Sequence, residues 1–395
     1  MAILAVNAGS STLKFSVHPL QGKQVQPAVL TGSIQGLEPG GTPEMRWTLN
    51  GERARRALPP SQHNPFGQAL EALRELLTRE LSLPVLQAVA HRVVHGGQDF
   101  RSSIIVTPAT LAALERLNSL APLHQPHNLA GIRSFRQTFA HLPQVACFDT
   151  AYHATLPALE YCYALPQALS AQGVRRYGFH GLSYQFIMGT LQQHSPRAYG
   201  RTLMAHLGNG ASLCAALEGR SLSITMGFSA LDGLMMGTRC GSIDPGVLLY
   251  LLELGWSHDR IQGLLYKQSG LLGVSGIAAD MRALRANNSP SAQFAIDLFT
   301  HRIVRGVGEL TASMSGMDVL AFSGGIGEND AVLRAQVCHK LAYLGVRMDE
   351  ASNQQAGRQS ARPIHTKDSA VEIWVVPTDE GHVAASEAAA LVLPD

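Results

Sequence analysis

Charge is scarce in this sequence. Of its 395 residues only 15% are Asp, Glu, Lys or Arg, against roughly 25% in an ordinary soluble chain, while 46% are hydrophobic. That balance excludes a disordered or supercharged protein. The 31 basic and 29 acidic residues leave a formal +2, no electrostatic footprint for nucleic acid or an anionic membrane. Any anion must be caught locally. No stretch approaches the ~18 uninterrupted apolar residues of a membrane span, and Met1 to Val6 lacks the basic and apolar regions of a signal peptide. Five cysteines, Cys147, Cys162, Cys214, Cys240 and Cys338, stand at irregular spacing with no C-x-x-C. Neither a disulfide framework nor a thiolate zinc site is expected, and a reducing cytoplasm fits. Also missing are G-x-x-x-x-G-K-[ST] and a complete G-x-G-x-x-G, which removes P-loop NTPases and the standard dinucleotide fold.

A chain of this length should form two or three domains, and its hydrophobic patterns alternate between strand and helix. Ile3–Val6, the polar turn Asn7–Thr12 and the alternating Leu13–Val17 read as strand, turn and strand. Phe66, Ala69, Leu70, Leu73, Leu76 and Leu77 form a helical stripe, with Pro84 after its end. Val85–Val94 resumes a strand, and Thr107-Pro108 caps a helix running through Leu111, Leu114 and Leu117. Gln144–Phe148 is a buried-strand pattern that delivers Asp149 at its carboxyl end. Leu203–Leu207, Gly208–Ala211 and Ser212–Leu217 repeat the opening strand, turn and strand, as a duplicated α/β domain would. Asp297–Ser313 reads as helix, Val319–Phe322 as strand, Ser323–Asn329 as a glycine turn, Val371–Val376 as the last strand, and His382–Leu391 as a terminal helix.

Three glycine-rich polar turns thus follow predicted strands, where small residues let backbone N–H groups approach phosphates. One such turn is ordinarily only a turn; three in one chain point to a nucleotide. Arg92 in His91–His95 and Arg239 in Met235–Arg239 are embedded in apolar or small sequence. A guanidinium there offers paired donors for a carboxylate or phosphoryl group. His91 with His95 and His124 with His127 resemble metal pairs, but no third ligand or H-E-x-x-H accompanies them. Met226, Met235 and Met236 read as core.

Several longer strings, taken together, resemble the acetate kinase family. They are Asn7–Lys14, His91–Gly97, Phe148–His153, Arg176–Gly181, His206–Gly210, Met236–Arg239, Ile243–Gly246 and Gly324–Asn329, in order and over nearly the whole chain. The resemblance implies an α/β fold of two duplicated ribonuclease-H-like domains with the active site in the cleft between them, as in sugar kinases, heat-shock ATPases and actin. The domains are expected at 1–150 and 151–381, with a helix at about 382–395 returning to the first. The implied activity is reversible, in-line transfer of the ATP γ-phosphoryl group to acetate, giving acetyl phosphate and ADP, with Mg²⁺ or Mn²⁺ as cofactor, in a homodimer.

The resemblance also carries roles onto particular residues. Lys14, Ser10, Thr12, His206, Leu207, Gly208, Asn209, Gly210, Asp280, Met281, Arg282, Gly325, Ile326, Gly327, Glu328 and Asn329 are implied for the nucleotide. Asn7 and Glu380, both expected at strand ends, are implied for the metal, whose preference is for oxygen ligands. Arg92, Val94, Leu123 and Phe179 would hold the substrate, and Arg92, His124, Asp149, His180 and Arg239 would act in catalysis. A proton-transfer role is usual for the residue matching Asp149. A short carboxylic acid, with a pKa near the ~4.3 of Glu, is already ionised and needs no base, so Asp149 is expected mainly to hold the metal and its waters. The sequence departs from the family pattern at Ala230 (usually Pro), Ser242 (Asp), Asp379 (Asn) and Gly381 (Glu). The smaller Ala230 predicts a roomier acyl pocket and use of propionate beside acetate. A propionate or butyrate kinase and an actin-like nucleotide switch are the alternatives; the switch would not need Arg92, Arg239 and His180 together.

Overall fold

The computed structural model describes residues 1–38, 40–61, 64–80, 85–357 and 360–393; Pro84, expected after a helix end, lies outside them. The chain divides into two compact units. One comprises Met1–Ala151 with the chain from Asp379 onward, the other Tyr152–Thr378.

The first unit is built on strands β1 (Ala2–Ala8), β2 (Thr12–Gln21), β3 (Gln24–Val25), β4 (Leu30–Gln35), β5 (Glu44–Leu49), β6 (Glu52–Ala57), β7 (Leu86–Val93), β8 (Ile104–Ile105) and β9 (Gln144–Phe148). They lie in the order β6-β5-β4-β2-β1-β7-β9-β8, with β3 on β2. β1 is apolar but for Asn7 because it is central and covered on both faces. β2 alternates, burying Leu13, Phe15 and Val17 while Lys14 faces out. The two form an antiparallel hairpin closed by a Gly9 N–H to Thr12 O bond of 2.8 Å. β7 and β9 then run parallel to β1. The helix Pro65–Glu80 lays Leu70, Leu73 and Leu77 against Leu4, Val6, Phe15 and Phe135. Thr107 caps the helix Pro108–Glu115 through Thr110. This helix stops before Leu117, which was expected inside it, because the chain tightens into a 3₁₀ turn at Asn118–Leu120.

The terminal helix, Glu380–Val392, belongs to this unit. Its small residues Ala384, Ala385, Ala388 and Ala389 are buried and let it lie close on β1 and β7, and the Ser103 hydroxyl donates to the Glu387 carboxylate. The helix starts earlier than His382 because Asp379 Oδ1 accepts the His382 N–H at 2.9 Å. Glu380, expected at a strand end, therefore opens a helix.

The second unit contains β10 (Arg201–Leu207), β11 (Ala211–Leu217), β12 (Arg220–Ile224), β13 (Val319–Ser323), β14 (Arg362–Pro363) and β15 (Glu372–Val375), ordered β12-β11-β10-β13-β15-β14. β12, β11 and β10 are antiparallel, whereas β10, β13 and β15 are parallel. In the first unit β4-β2-β1-β7-β9 repeat this arrangement strand for strand. Both units are thus ribonuclease-H-like, and the similarity of the two Gly-rich hairpins in the sequence reflects a real duplication. The helix Pro290–Ser313 begins well before Asp297 because Ser289 caps it and Pro290 takes its first position. It crosses β11 so closely that a Cβ on Gly306 would lie 2.8 Å from Leu213 Cδ1. Gly324–Asn329, expected as a turn, is a short helix entered through Gly324 at φ 77°. Met226, Met235 and Met236 are buried. By contrast the helix Pro245–Glu253 buries no residue, leaving Leu249, Tyr250 and Leu252 each more than half exposed.

Candidate active site

In the first unit the candidate residues gather at the carboxyl ends of β1, β7 and β9, the edge at which parallel α/β sheets place ligands. Asn7 and Arg92 each follow the paired residues Val6 and His91 on neighbouring strands. Asn7 also faces Lys14 across the hairpin, whose turn carries Ser10 and Thr12. Asp149 follows β9, and its N–H bonds Val93 O at 3.0 Å. Arg92 grips Asp149 with two parallel bonds, Nε to Oδ1 at 2.9 Å and Nη2 to Oδ2 at 2.7 Å. Glu380 Oε2 stands 3.4 Å from the same Nε. Burial works against the charge on Arg92, but the two carboxylates prevail and raise its pKa further above the usual guanidinium value. The paired donors expected to take a substrate carboxylate are thus turned on Asp149 here.

Two residues not singled out in the sequence hold this edge together. Asn128 donates to Ala8 O at 2.7 Å and accepts the Val94 N–H at 3.0 Å, tying the ends of β1 and β7. Gln125 makes a reciprocal pair with the backbone of His95, at 2.9 and 3.2 Å. Both lie on the helix Gln125–Thr138, for which His124 is the N-cap residue. These bonds set half-buried Val94 beside the segment carrying Leu123 and His124. Only the order of residues in Leu123–Asn128 hinted at this, because an amide at a helix start has many possible partners. His91 instead bonds Gln144 at 2.7 Å, and His95 Nδ1 accepts the Gly97 N–H at 2.9 Å.

In the second unit the candidates converge at the ends of β10 and β13. His180 caps the helix Gly181–His194 in the left-handed region, at φ 59°, a conformation that costs a non-glycine residue of order 1–3 kcal/mol. Its neighbours enforce it. Arg176 Nη1 donates to the carbonyls of Ile224, Thr225 and Met226 at 2.9–3.1 Å, and buried His153 donates from Nε2 to Phe179 O at 2.9 Å. The His180 ring stacks on His206 at 4.4 Å. Ser212, opposite His206 in the β10–β11 ladder, lies 2.8 Å from His180 Nδ1, while Ser183 lies 2.7 Å from His206 Nδ1. Arg239 donates to Ala230 O at 2.8 Å, and a Cβ on Gly210 would lie 3.1 Å from both Arg239 Nη2 and His180 Nε2. Gly210 is therefore the space between those two tips.

The other nucleotide candidates surround that point within the unit. Leu207–Gly210 follows β10 and the 324–329 helix follows the adjacent β13, so close that a Cβ on Gly324 would lie 2.7–3.0 Å from Leu207 backbone atoms. Asn209 O accepts from Gly237 at 3.0 Å. Glu328 spends one oxygen on the N–H groups of Gly324 and Thr378, at 2.9 and 3.2 Å, and so shapes the segment. Buried Arg334 donates to Gly327 O at 2.9 Å, and Arg285 pairs with Asp330 at 3.1 Å. That pair links the 324–329 helix to the helix Met281–Arg285, which Asp280 caps and which exposes Arg282.

Two ribonuclease-H-like units, one bearing a carboxylate-and-arginine cluster and the other glycine-lined turns beside histidines and an arginine, define a phosphotransferase of the nucleotide-dependent kind. Comparison with known proteins gives the family. The Acetokinase family model matches residues 2–386, and the chain belongs to that family of kinases. It is 46% identical to an acetate kinase of Rhodopseudomonas palustris over 386 residues, 96% of this chain and 95% of the relative. An acetate kinase of Nitrobacter hamburgensis is 44% identical over 99% of this chain and 96% of its own. Among solved structures, a propionate kinase from Francisella tularensis superposes with TM-score 0.90 at 35% identity, covering 98% of both chains. Porphyromonas gingivalis acetate kinase gives 0.88 at 34%, covering 99% of this chain and 100% of its own. No described helix is long and apolar enough to cross a membrane.

Burial depresses His91, His95 and His153 to about 4 each. Their folded pKa values lie below the unfolded ~6.5, so protons favour the unfolded chain. This stabilisation is complete above about pH 6.5 and declines toward pH 4, by up to ~1.4 kcal/mol per pH unit for each histidine. Denaturant midpoints should therefore drop between pH 7 and pH 5; equal midpoints would contradict the burial of these rings as neutral groups.

Proposed function

We propose that the protein catalyses reversible transfer of the ATP γ-phosphoryl group to acetate, giving acetyl phosphate and ADP by direct in-line displacement. The observation that carries this reading is the Arg92–Asp149–Glu380 cluster, set in a chain of the acetokinase family. One guanidinium against two carboxylates leaves a local charge of −1 among oxygen donors, and Asn7 adds an amide oxygen on the neighbouring strand. That donor set suits a hard divalent cation with few protein ligands and several waters. Asn7, Asp149 and Glu380 would hold Mg²⁺, with Mn²⁺ as a substitute; the ion would neutralise charge on the terminal phosphates.

The protein's own groups then divide the work. Arg92 Nη1 orients the substrate carboxylate, and Val94, Leu123 and Phe179 are the apolar residues assigned to its methyl group. Leu207–Gly210 and the helix 324–329 present backbone to the phosphates, with Lys14, Ser10 and Thr12 as further donors, while Asp280, Met281 and Arg282 meet the rest of the nucleotide. His180 and Arg239, on either side of Gly210, supply donors where charge develops in the transition state; His124 adds another. The reading requires both sets of residues to reach one phosphoryl group during turnover. The exposed apolar residues of Pro245–Glu253 support a homodimer, and five free cysteines, three of them buried, suit the cytoplasm.

Purified protein with Mg·ATP, acetate and hydroxylamine should yield acetyl hydroxamate, with a lesser signal from propionate and none when the metal is chelated. No hydroxamate from any short acid, with ATP still bound, would favour the nucleotide-switch alternative. Asp149→Asn tests whether that side chain organises the metal: the Mg²⁺ concentration for half-maximal rate should rise along with the loss of turnover. Abolished turnover with unchanged Mg²⁺ dependence would refute it.

Propionate is a second reading favoured by Ala230, whose carbonyl orients Arg239 and whose side chain is smaller than the usual proline. A methylene in an apolar pocket discriminates by only ~1–3 kcal/mol. Ala230→Pro keeps that carbonyl, and should lower kcat/KM for propionate severalfold relative to acetate; equal penalties in both proteins would remove the claim.

A further inference from the structure

The departures at Asp379 and Gly381 meet two residues of β2 that the reaction does not use. Ser16 Oγ lies 2.9 Å from His18 Nε2, and His18 Nδ1 lies 3.2 Å from Gln26 O. His18 is fully buried, which favours the neutral ring. A carbonyl oxygen only accepts, so Nδ1 carries the proton and Nε2 accepts from the Ser16 hydroxyl. Opposite this pair is the first turn of the terminal helix. Asp379 caps it through the His382 N–H, and the His382 ring meets His18 edge-on, with centroids 5.7 Å apart. Between them sits Gly381. A Cβ there would lie 2.5 Å from Ser16 Oγ and 3.3 Å from both Asp379 Oδ1 and His18 Nε2. Gly381 has no positive φ, so the space requires glycine and the backbone angle does not.

We propose that Ser16, His18 and Gly381 are positioning residues for Glu380: the serine–histidine pair and the missing side chain form one seat that sets the helix start and thereby the Glu380 carboxylate beside Arg92. The hydroxyl is fixed by His18, which is fixed in turn by Gln26, so the surface against Gly381 is rigid. Any side chain at 381 must push the first turn, and Glu380 with it, away from β2. The Glu usual in the family at this position and the Ser16–His18 pair are then mutually exclusive solutions. This inference rests on the reading of Glu380 as a metal ligand.

The test is Mn²⁺ binding in the presence of ADP, followed by the electron paramagnetic resonance of free Mn²⁺, with no turnover involved. Gly381→Ala should weaken Mn²⁺ about tenfold, the scale of losing a group that orients a ligand, with little change in the melting temperature. The double variant Ser16→Ala/Gly381→Ala removes the opposing hydroxyl and should restore binding to within about twofold of the parent, a rescue that a general loss of structure would not show. Undiminished Mn²⁺ binding by Gly381→Ala, or a double variant as weak as the single one, would overturn the proposal. Glu380→Gln separates the two levels. If it weakens Mn²⁺ while Gly381→Ala does not, only the seat fails; if it leaves Mn²⁺ binding intact, the metal role of Glu380 fails and the seat with it.

Discussion

A half-buried guanidinium held between two carboxylates organises the first unit. Arg92 is drawn from a central strand, Asp149 from the end of the next, and Glu380 from a helix more than two hundred residues further along the chain. Both carboxylates are held by the same guanidinium, so the strand ends and the terminal helix are tied to one arrangement. The amides of Asn128 and Gln125 extend that order to the loop after β7. The same contacts that fix the fold also gather two carboxylates and one guanidinium at a polar edge of the sheet.

The second unit solves a different problem. Its candidate groups are arranged through backbone exposure and ring placement. Gly208, Gly210 and Gly324 remove side chains where approach is closest. His180 is held in a costly left-handed conformation and both imidazoles are oriented by serines. Pre-orientation of this kind spares reorganisation when charge develops.

Much of this was legible in the sequence. Both Gly-rich hairpins, the capped helix at Thr107 and the delivery of Asp149 by a buried strand follow from period-2 patterns and turn residues, which are local. Candidate residues could be picked out because glycine strings and embedded arginines are rare enough to stand out. What could not be read is relational. Whereas Ser289-Pro290 is a local start signal of the same kind as Thr107-Pro108, nothing local says that Asp149 would take both paired donors of Arg92 or that Glu380 would open a helix. Asn128, Gln125 and Arg334 escaped notice for the same reason. Amide and guanidinium groups declare their roles only through partners that the fold brings from elsewhere.

The chain leaves its first unit at Ala151 and returns to it only at Asp379. During synthesis the second unit therefore emerges whole before the first can be finished. Until the terminal helix arrives, β1 and β7 lack the alanine face that covers them, and Arg92 faces Asp149 without Glu380. Native closure of the first unit is thus a late, long-range event, of the kind that slows folding. A nascent or truncated chain would carry the strands that hold Arg92 and Asp149 and still lack the Glu380 carboxylate.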